Sequence, residues 1–296
     1  MGLPRAVVRT VLLDAAAVAL GVGFYFGVRG QTAGSPEVAM RHAADVLALE
    51  QALGLDVERG LQSALIAQES LTTFANWIYI WGHWPVIVAT LVWLAVSHRA
   101  VFRQLRDAML VSGLLGLCVY TTYPVAPPRL VAGMGMVDTV ADQSGAYRVL
   151  QPPAFVNQYA AMPSLHVGWD LLVGLAVVAA AGALAVRAIG VAMPIAMAAA
   201  TVLTANHYVL DVLAGAALGL LGWFVAVRLE HRRRCRAVLA TTTTTAPVTV
   251  TAPVVAAPAG GAPVGAVPSQ RSGRQPVPGP GAEAQEAAGR RRCGSS

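Results

Sequence analysis

The chain has 296 residues, of which 56% are hydrophobic and only 12% charged, with a mean hydropathy of +0.58. Soluble domains carry about 25% charged residues, so the composition excludes an ordinary soluble protein and points to one embedded in lipid. The net charge of +6 and pI near 9.7 do not mark a nucleic-acid binder. Nine Arg against two Glu lie beyond Glu230, leaving residues 1–230 with twelve Arg against thirteen acids. Lysine is absent, which excludes P-loop and Schiff-base lysine chemistry. Cys118 lies in an apolar run and Cys235 and Cys293 in the tail beyond residue 230, which argues against a disulfide framework or a zinc knuckle.

Six apolar runs approach the ~20 residues a bilayer requires, at about 7–28, 71–96, 107–123, 165–187, 188–206 and 208–228. The first continues through Phe24, Tyr25 and Phe26 with no small-x-small cleavage site, so it reads as a retained helix rather than a signal peptide. Arginine placement orients the bundle. With Arg5 and Arg9 in the cytoplasm, Arg99, Arg103, Arg106, Arg187 and the Arg228–Arg236 cluster all fall inside. The outer segments, 29–70 and 124–164, hold five Arg against eight acids. Both termini are therefore expected in the cytoplasm.

The segment 29–70 reads as an outer interfacial helix, capped by Ser35 with Pro36 and Glu37 in its first turn. Val46, Leu49, Leu53, Val57, Leu61 and Leu65 would form its apolar stripe. Trp77, Trp81 and Trp84 read as an interfacial belt. From residue 231 the chain is expected to be a disordered cytoplasmic tail, whose Thr/Ala/Pro/Gly-rich composition buries too little to offset ordering entropy. The expected fold is thus an all-α integral membrane protein, with a six-helix domain at 1–230 and a tail at 231–296.

Polar groups at membrane depth are costly and mark candidate sites. Three distant segments deliver them to the outer face: Tyr123 to Arg129, Pro163-Ser164-Leu165-His166, and Asn206 to Asp211. His207 and Asp211 are four apart on a helix, so the carboxylate can reach one imidazole nitrogen and leave the other as nucleophile or base. His166 is placed to protonate a leaving group, and Arg129 offers a planar fork for phosphate oxygens. Asn76, Tyr79 and His83 share one face of the second helix, either lining a headgroup pocket or bonding across the bundle. Asp170 follows His166 by four residues and either orients it or pairs with a neighbouring helix.

The Pro163–His166 and His207–Asp211 segments resemble the second and third motifs of the type 2 phosphatidic acid phosphatase (PAP2) superfamily. The similarity runs from about Asn76 to Leu220 and looks like the inositolphosphotransferase, or inositol phosphorylceramide synthase-like, branch. It implies a six-helix bundle of PAP2 type working without metal or cofactor. It also implies that His207 attacks phosphorus, Asp211 orients it, His166 moves the proton, and Arg129 with Ser164 holds the phosphoryl oxygens. Tyr123, Asn76, His83 and Asp170 are further candidates for the substrate pocket. The chain departs from the common lipid-phosphatase pattern: Thr122 stands at a lysine position, Leu130 follows Arg129, Leu165 replaces a glycine, and Ala200-Thr201 replace Ser-Arg. Arg148 is a candidate replacement for one missing cation.

The function implied is a lipid phosphatase or phosphotransferase acting on a phospholipid or polyprenyl phosphate through a phosphohistidine. Its site would face the extracytoplasmic side of a bacterial plasma membrane. A proton-coupled transporter using the same His and Asp residues is the alternative; the sequence leaves the lipid, the acceptor and the oligomeric state open.

Overall fold

The computed structural model describes residues 9, 13–14, 16–23, 25, 27, 35–143 and 157–244. The chain divides into two units, 1–228 and 229–296. In the second, the described residues 229–244 are helical. Arg148 and the tail beyond Thr244 lie outside the described residues.

All the regular elements described are helices: α1 Pro36–Leu53, α2 Glu58–Ile66, α3 Glu69–Trp81, α4 Trp84–Ser97, α5 Arg99–Thr122, α6 Thr139–Gln143, α7 Leu165–Ala180, α8 Leu184–Leu203 and α9 Val209–Thr244. Two 3₁₀ turns, Pro128–Leu130 and Ala132–Met134, follow α5. The described residues between Arg9 and Gly27 are also helical. Two helices, α8 and residues 209–236 of α9, are long and apolar enough to cross a membrane, and the pair α3–α4, bent by 45°, would make a third. Arg103, Arg106 and Asp107 interrupt the apolar run of α5, and α7 has only 16 residues.

The element boundaries depart from the apolar runs where the backbone has a reason to break. The second run divides at Gly82-His83, and the fourth and fifth divide at Ala181-Gly182-Ala183 rather than near Arg187. The sixth continues past Glu230 to Thr244, so the start of the expected disordered tail is helical.

The outer segment is two helices rather than one. α1 stops at Gly54, whose left-handed φ of 68° suits a residue without Cβ. Leu49, Leu53, Val57 and Leu61 of the expected stripe are exposed. The face turned inward carries Ala39, Ala43, Val46 and Glu50, because small residues permit close helix approach. Ser35 makes no side-chain cap bond.

Glycines bring α7 against its neighbours. A Cβ on Gly168 would lie 2.6 Å from the Gly215 carbonyl, and one on Gly219 would lie 2.7 Å from the Gly168 carbonyl. This contact sets the start of α7 beside the start of α9. Asp14, isolated in the sequence, ion-pairs with Arg106 and lies 3.6 Å from Arg99.

Candidate active site

The site lies where the loops after α5, before α7 and before α9 meet. Val125 bridges the 159–161 segment: its N–H donates to Tyr159 O at 2.8 Å, and its carbonyl accepts from Ala161 N at 3.2 Å. Ala126 N donates to Ala39 O, tying the same strand-like segment to α1. Ser164 is the N-cap of α7, with its hydroxyl 3.5 Å from Val167 N, while its own N–H donates to Asp211 O at 3.0 Å. Tyr120, from α5, donates its hydroxyl to Pro163 O at 2.7 Å.

The turn before α9 is tight. Thr201 O accepts the N–H groups of both Asn206 and His207, at 3.0 and 3.1 Å. Ala205, which immediately precedes the two donors, is forced to φ 57°, a left-handed conformation that costs a residue with a Cβ about 1–2 kcal/mol. The result places His207 over a cavity lined also by His166, His83, Arg129, Tyr79, Tyr120 and Asn206. The His166 and His207 ring centroids are 5.7 Å apart.

Nδ1 of His207 lies 2.8 Å from the Ala161 carbonyl and 3.5 Å from Asp211 Oδ2. Both neighbours are acceptors, so Nδ1 carries the proton and Nε2 is left as the basic nitrogen. Asp211 is fully buried behind the ring, and its Oδ2 also accepts Tyr208 N–H at 2.9 Å. Arg129 is clamped on two sides: Nη1 donates to Asn206 Oδ1 at 2.7 Å, and Nε lies 2.9 Å from Asp138 Oδ2. Asn206 in turn donates to Thr204 Oγ1 and O. The guanidinium is therefore held in one orientation while still lining the cavity.

The remaining sequence candidates separate. His83, at the α3–α4 break, lines the cavity, and its ring lies 4.4 Å from that of His166. Tyr79 stacks on His166 at 4.7 Å. Asp170 does not orient His166; its Oδ1 is 2.9 Å from His83 Nδ1. The reason is the bend at His83, which turns that ring over the first turns of α7. Asn76 bonds Thr139 through both its amide atoms and stands away from the cavity. Tyr123 stacks on His42 at 3.9 Å, likewise away from the cavity. Trp84, read as part of a belt, packs edge-on against Trp169 and lines the cavity, whereas Trp77 and Trp81 are exposed.

Sequence reasoning missed Tyr120, the bond from Arg129 to Asn206, and two acids of the outer helices, Glu50 and Glu58. The acids are 0% and 1% exposed and accept the N–H groups of Leu210 and Val209, at 2.8 and 2.9 Å. The available signal was Glu50 falling in register with Ala39, Ala43 and Val46, the small-residue face. Among the described residues, no group of three or more His, Cys, Asp or Glu is arranged to hold a metal ion.

No curated protein matches the chain. A crystal structure of Aquifex aeolicus LpxE is similar, with a TM-score of 0.44 and 18% identity over 59% of this chain and 94% of that one. The family model described as PAP2 superfamily matches residues 44–225, more than half the chain and all of the cavity-forming loops described above. The chain belongs to the PAP2 superfamily.

Proposed function

We propose that the protein is a membrane-embedded lipid phosphate phosphatase or phosphotransferase, working through a phosphohistidine on His207 at the extracytoplasmic face. The observation that carries this reading is the opposition of His207 and His166 across one cavity, with Arg129 clamped at its side. Nε2 of His207 attacks phosphorus while the bond to the lipid alcohol breaks. His166 gives that alcohol its proton. In the second step His166 takes a proton from water or an acceptor hydroxyl, whose oxygen displaces His207 from phosphorus.

Arg129 and the N-terminus of α7, which starts at Leu165 on the cavity wall, bind the phosphoryl oxygens. Asp211 supports the charge that grows on His207 as it loses electron density. A groove of about 430 Å³ lined by Val18, Tyr25, Trp84, Ile87, Leu110 and Leu117 supports a lipid substrate over a soluble phosphate. It shares Tyr25 and Trp84 with the cavity, so a hydrocarbon chain can lie there with its phosphate at His207. The six-span topology with both termini cytoplasmic is part of the same proposal, since it places the site on the outer side.

The test uses purified full-length protein in nanodiscs with phosphatidic acid and a polyprenyl phosphate, each with and without inositol. Acid-labile, base-stable phosphate should be trapped on the wild type and absent from His207→Ala, and His166→Ala should lose turnover. Phosphate release without acceptor defines a phosphatase; product only with inositol defines the transferase branch. Undiminished turnover in His207→Ala would overturn the reading.

A further inference from the structure

The first turn of α9 is held by three carboxyl groups. Asp211 Oδ2 accepts from Tyr208 N, Glu58 Oε1 from Val209 N, and Glu50 Oε1 from Leu210 N, at 2.9, 2.9 and 2.8 Å. These are N–H groups that a helix start leaves without intrahelical partners. Glu50 and Glu58 come from α1 and α2, and both are buried. The titratable groups around Glu50 are Glu58 from α2, Asp211 from α9 and Tyr208 just before it; His207 adjoins Asp211. Among the described residues, no Arg pairs with either glutamate. Glu50 Oε2 is buried and no donor reaches it.

Three uncompensated carboxylates in so small a buried volume would repel one another, and a buried carboxyl in that setting keeps its proton. A hydroxyl at Glu50 Oε2 donating to Glu58 satisfies both acids with one proton. Burial first, then the Glu58 charge, pushes the Glu50 carboxyl up to about 8, against the lowering effect of Leu210 N–H.

We propose that Glu50 and Glu58 are positioning residues that share one proton and, in that state, fix the first turn of α9 and so the direction of His207 Nε2 into the cavity. The proposal rests on His207 being the nucleophile. Neither glutamate touches the substrate; they act through the backbone of Val209 and Leu210. Loss of the shared proton places a second charge beside Asp211 and loosens the turn from which His207 projects.

The experiment measures dioctanoyl phosphatidic acid turnover by the full-length protein in nanodiscs between pH 5.5 and 9.5. Wild-type kcat should fall as the pH passes about 8. Glu50→Gln keeps an acceptor for Leu210 and does not ionise, so its profile should lose that fall. Glu50→Ala should lower kcat at every pH by roughly a hundredfold, with KM little moved, as expected for a misplaced reacting group. An alkaline fall that survives in Glu50→Gln, or full kcat in Glu50→Ala, would overturn the proposal.

Amide hydrogen exchange over residues 207–212 provides a reading independent of catalysis. Wild-type protection should drop above pH 8 beyond the intrinsic rise in exchange rate, and Glu50→Gln should stay protected. Equal pH dependence in the two proteins sinks proton sharing even if turnover is normal. The predicted difference in a protein that turns over no lipid phosphate would instead sink the functional reading alone.

Discussion

The Ala161 carbonyl stands 2.8 Å from Nδ1 of His207, nearer than the Asp211 carboxylate at 3.5 Å. Ala161 is itself pinned by the Val125 bridge, so the group that fixes the tautomer is backbone and does not rotate. In the proposed mechanism this separates two jobs that a lone carboxylate would combine: the carbonyl holds the proton on Nδ1, and Asp211 answers the charge that develops on the ring.

Asp211→Asn should therefore keep the His207 tautomer and lose only charge support. Its kcat should drop by about a hundredfold, smaller than the ~10⁴ seen where a lost carboxylate also flips the tautomer. KM should change little. A drop as large as that of His207→Ala would show that Ala161 does not hold the ring.

Asp170 lies under His83, and both are almost fully buried. Removing the carboxylate leaves the imidazole Nδ1 without its partner, at a cost of about 1–3 kcal/mol. Asp170→Ala should thus lower the Tm in detergent clearly. Its kcat should fall far less than that of His166→Ala, because His166 makes its ring contacts with Tyr79 and His83 rather than a bond to Asp170. Titrating the two variants against phosphatidic acid distinguishes these roles.

The cavity was legible in the sequence because its main groups sit at helix ends, where Pro163-Ser164 and Asn206-His207 interrupt apolar runs. His166, His207, Arg129 and His83 all line one cavity. What did not show was which partner each took. Asp170 follows His166 by one helical turn, but the bend at His83 brings a nearer base, and no periodicity encodes a 45° bend. Glu50 and Glu58 stayed hidden for a related reason. Leu49, Leu53, Val57 and Leu61, the middle of the strong apolar periodicity, point outward, and the inward face of α1 was marked only by two alanines, a valine and a glutamate. In a lipid-facing protein the largest apolar residues need not define the inner face.

Gly215 of α9 packs so tightly on Ser164 that an added Cβ would overlap the Ser164 backbone carbonyl. Backbone cannot yield as a side chain can, so Gly215→Ala must push the start of α7 away from α9. Since His166 rides on α7 and His207 precedes α9, the histidine separation should widen. Displacements near 1 Å cost about a hundredfold in rate. The expected result is a folded protein with normal helical circular dichroism and a strongly reduced kcat for phosphatidic acid. Gly133, where a Cβ meets nothing within 4 Å, provides the control: Gly133→Ala should behave as wild type.

Stability should carry the signature of the Glu50 proton with a definite sign. Its carboxyl is raised from 4.5 to about 8 by burial, so the folded chain binds the proton more tightly than the unfolded one. The associated stability is fully present below pH 4.5 and is lost as the pH rises through about 8, above which nothing further changes. Each tenfold difference in proton affinity is worth about 1.4 kcal/mol, so the loss is on the order of a few kcal/mol. The Tm in detergent should then decline from pH 5 to pH 8.5 more steeply in the wild type than in Glu50→Gln. Other groups titrate in both proteins alike, so the difference between the two curves isolates Glu50. Parallel curves would mean that Glu50 enters the fold ionised, and the start of α9 would then have to tolerate three buried charges.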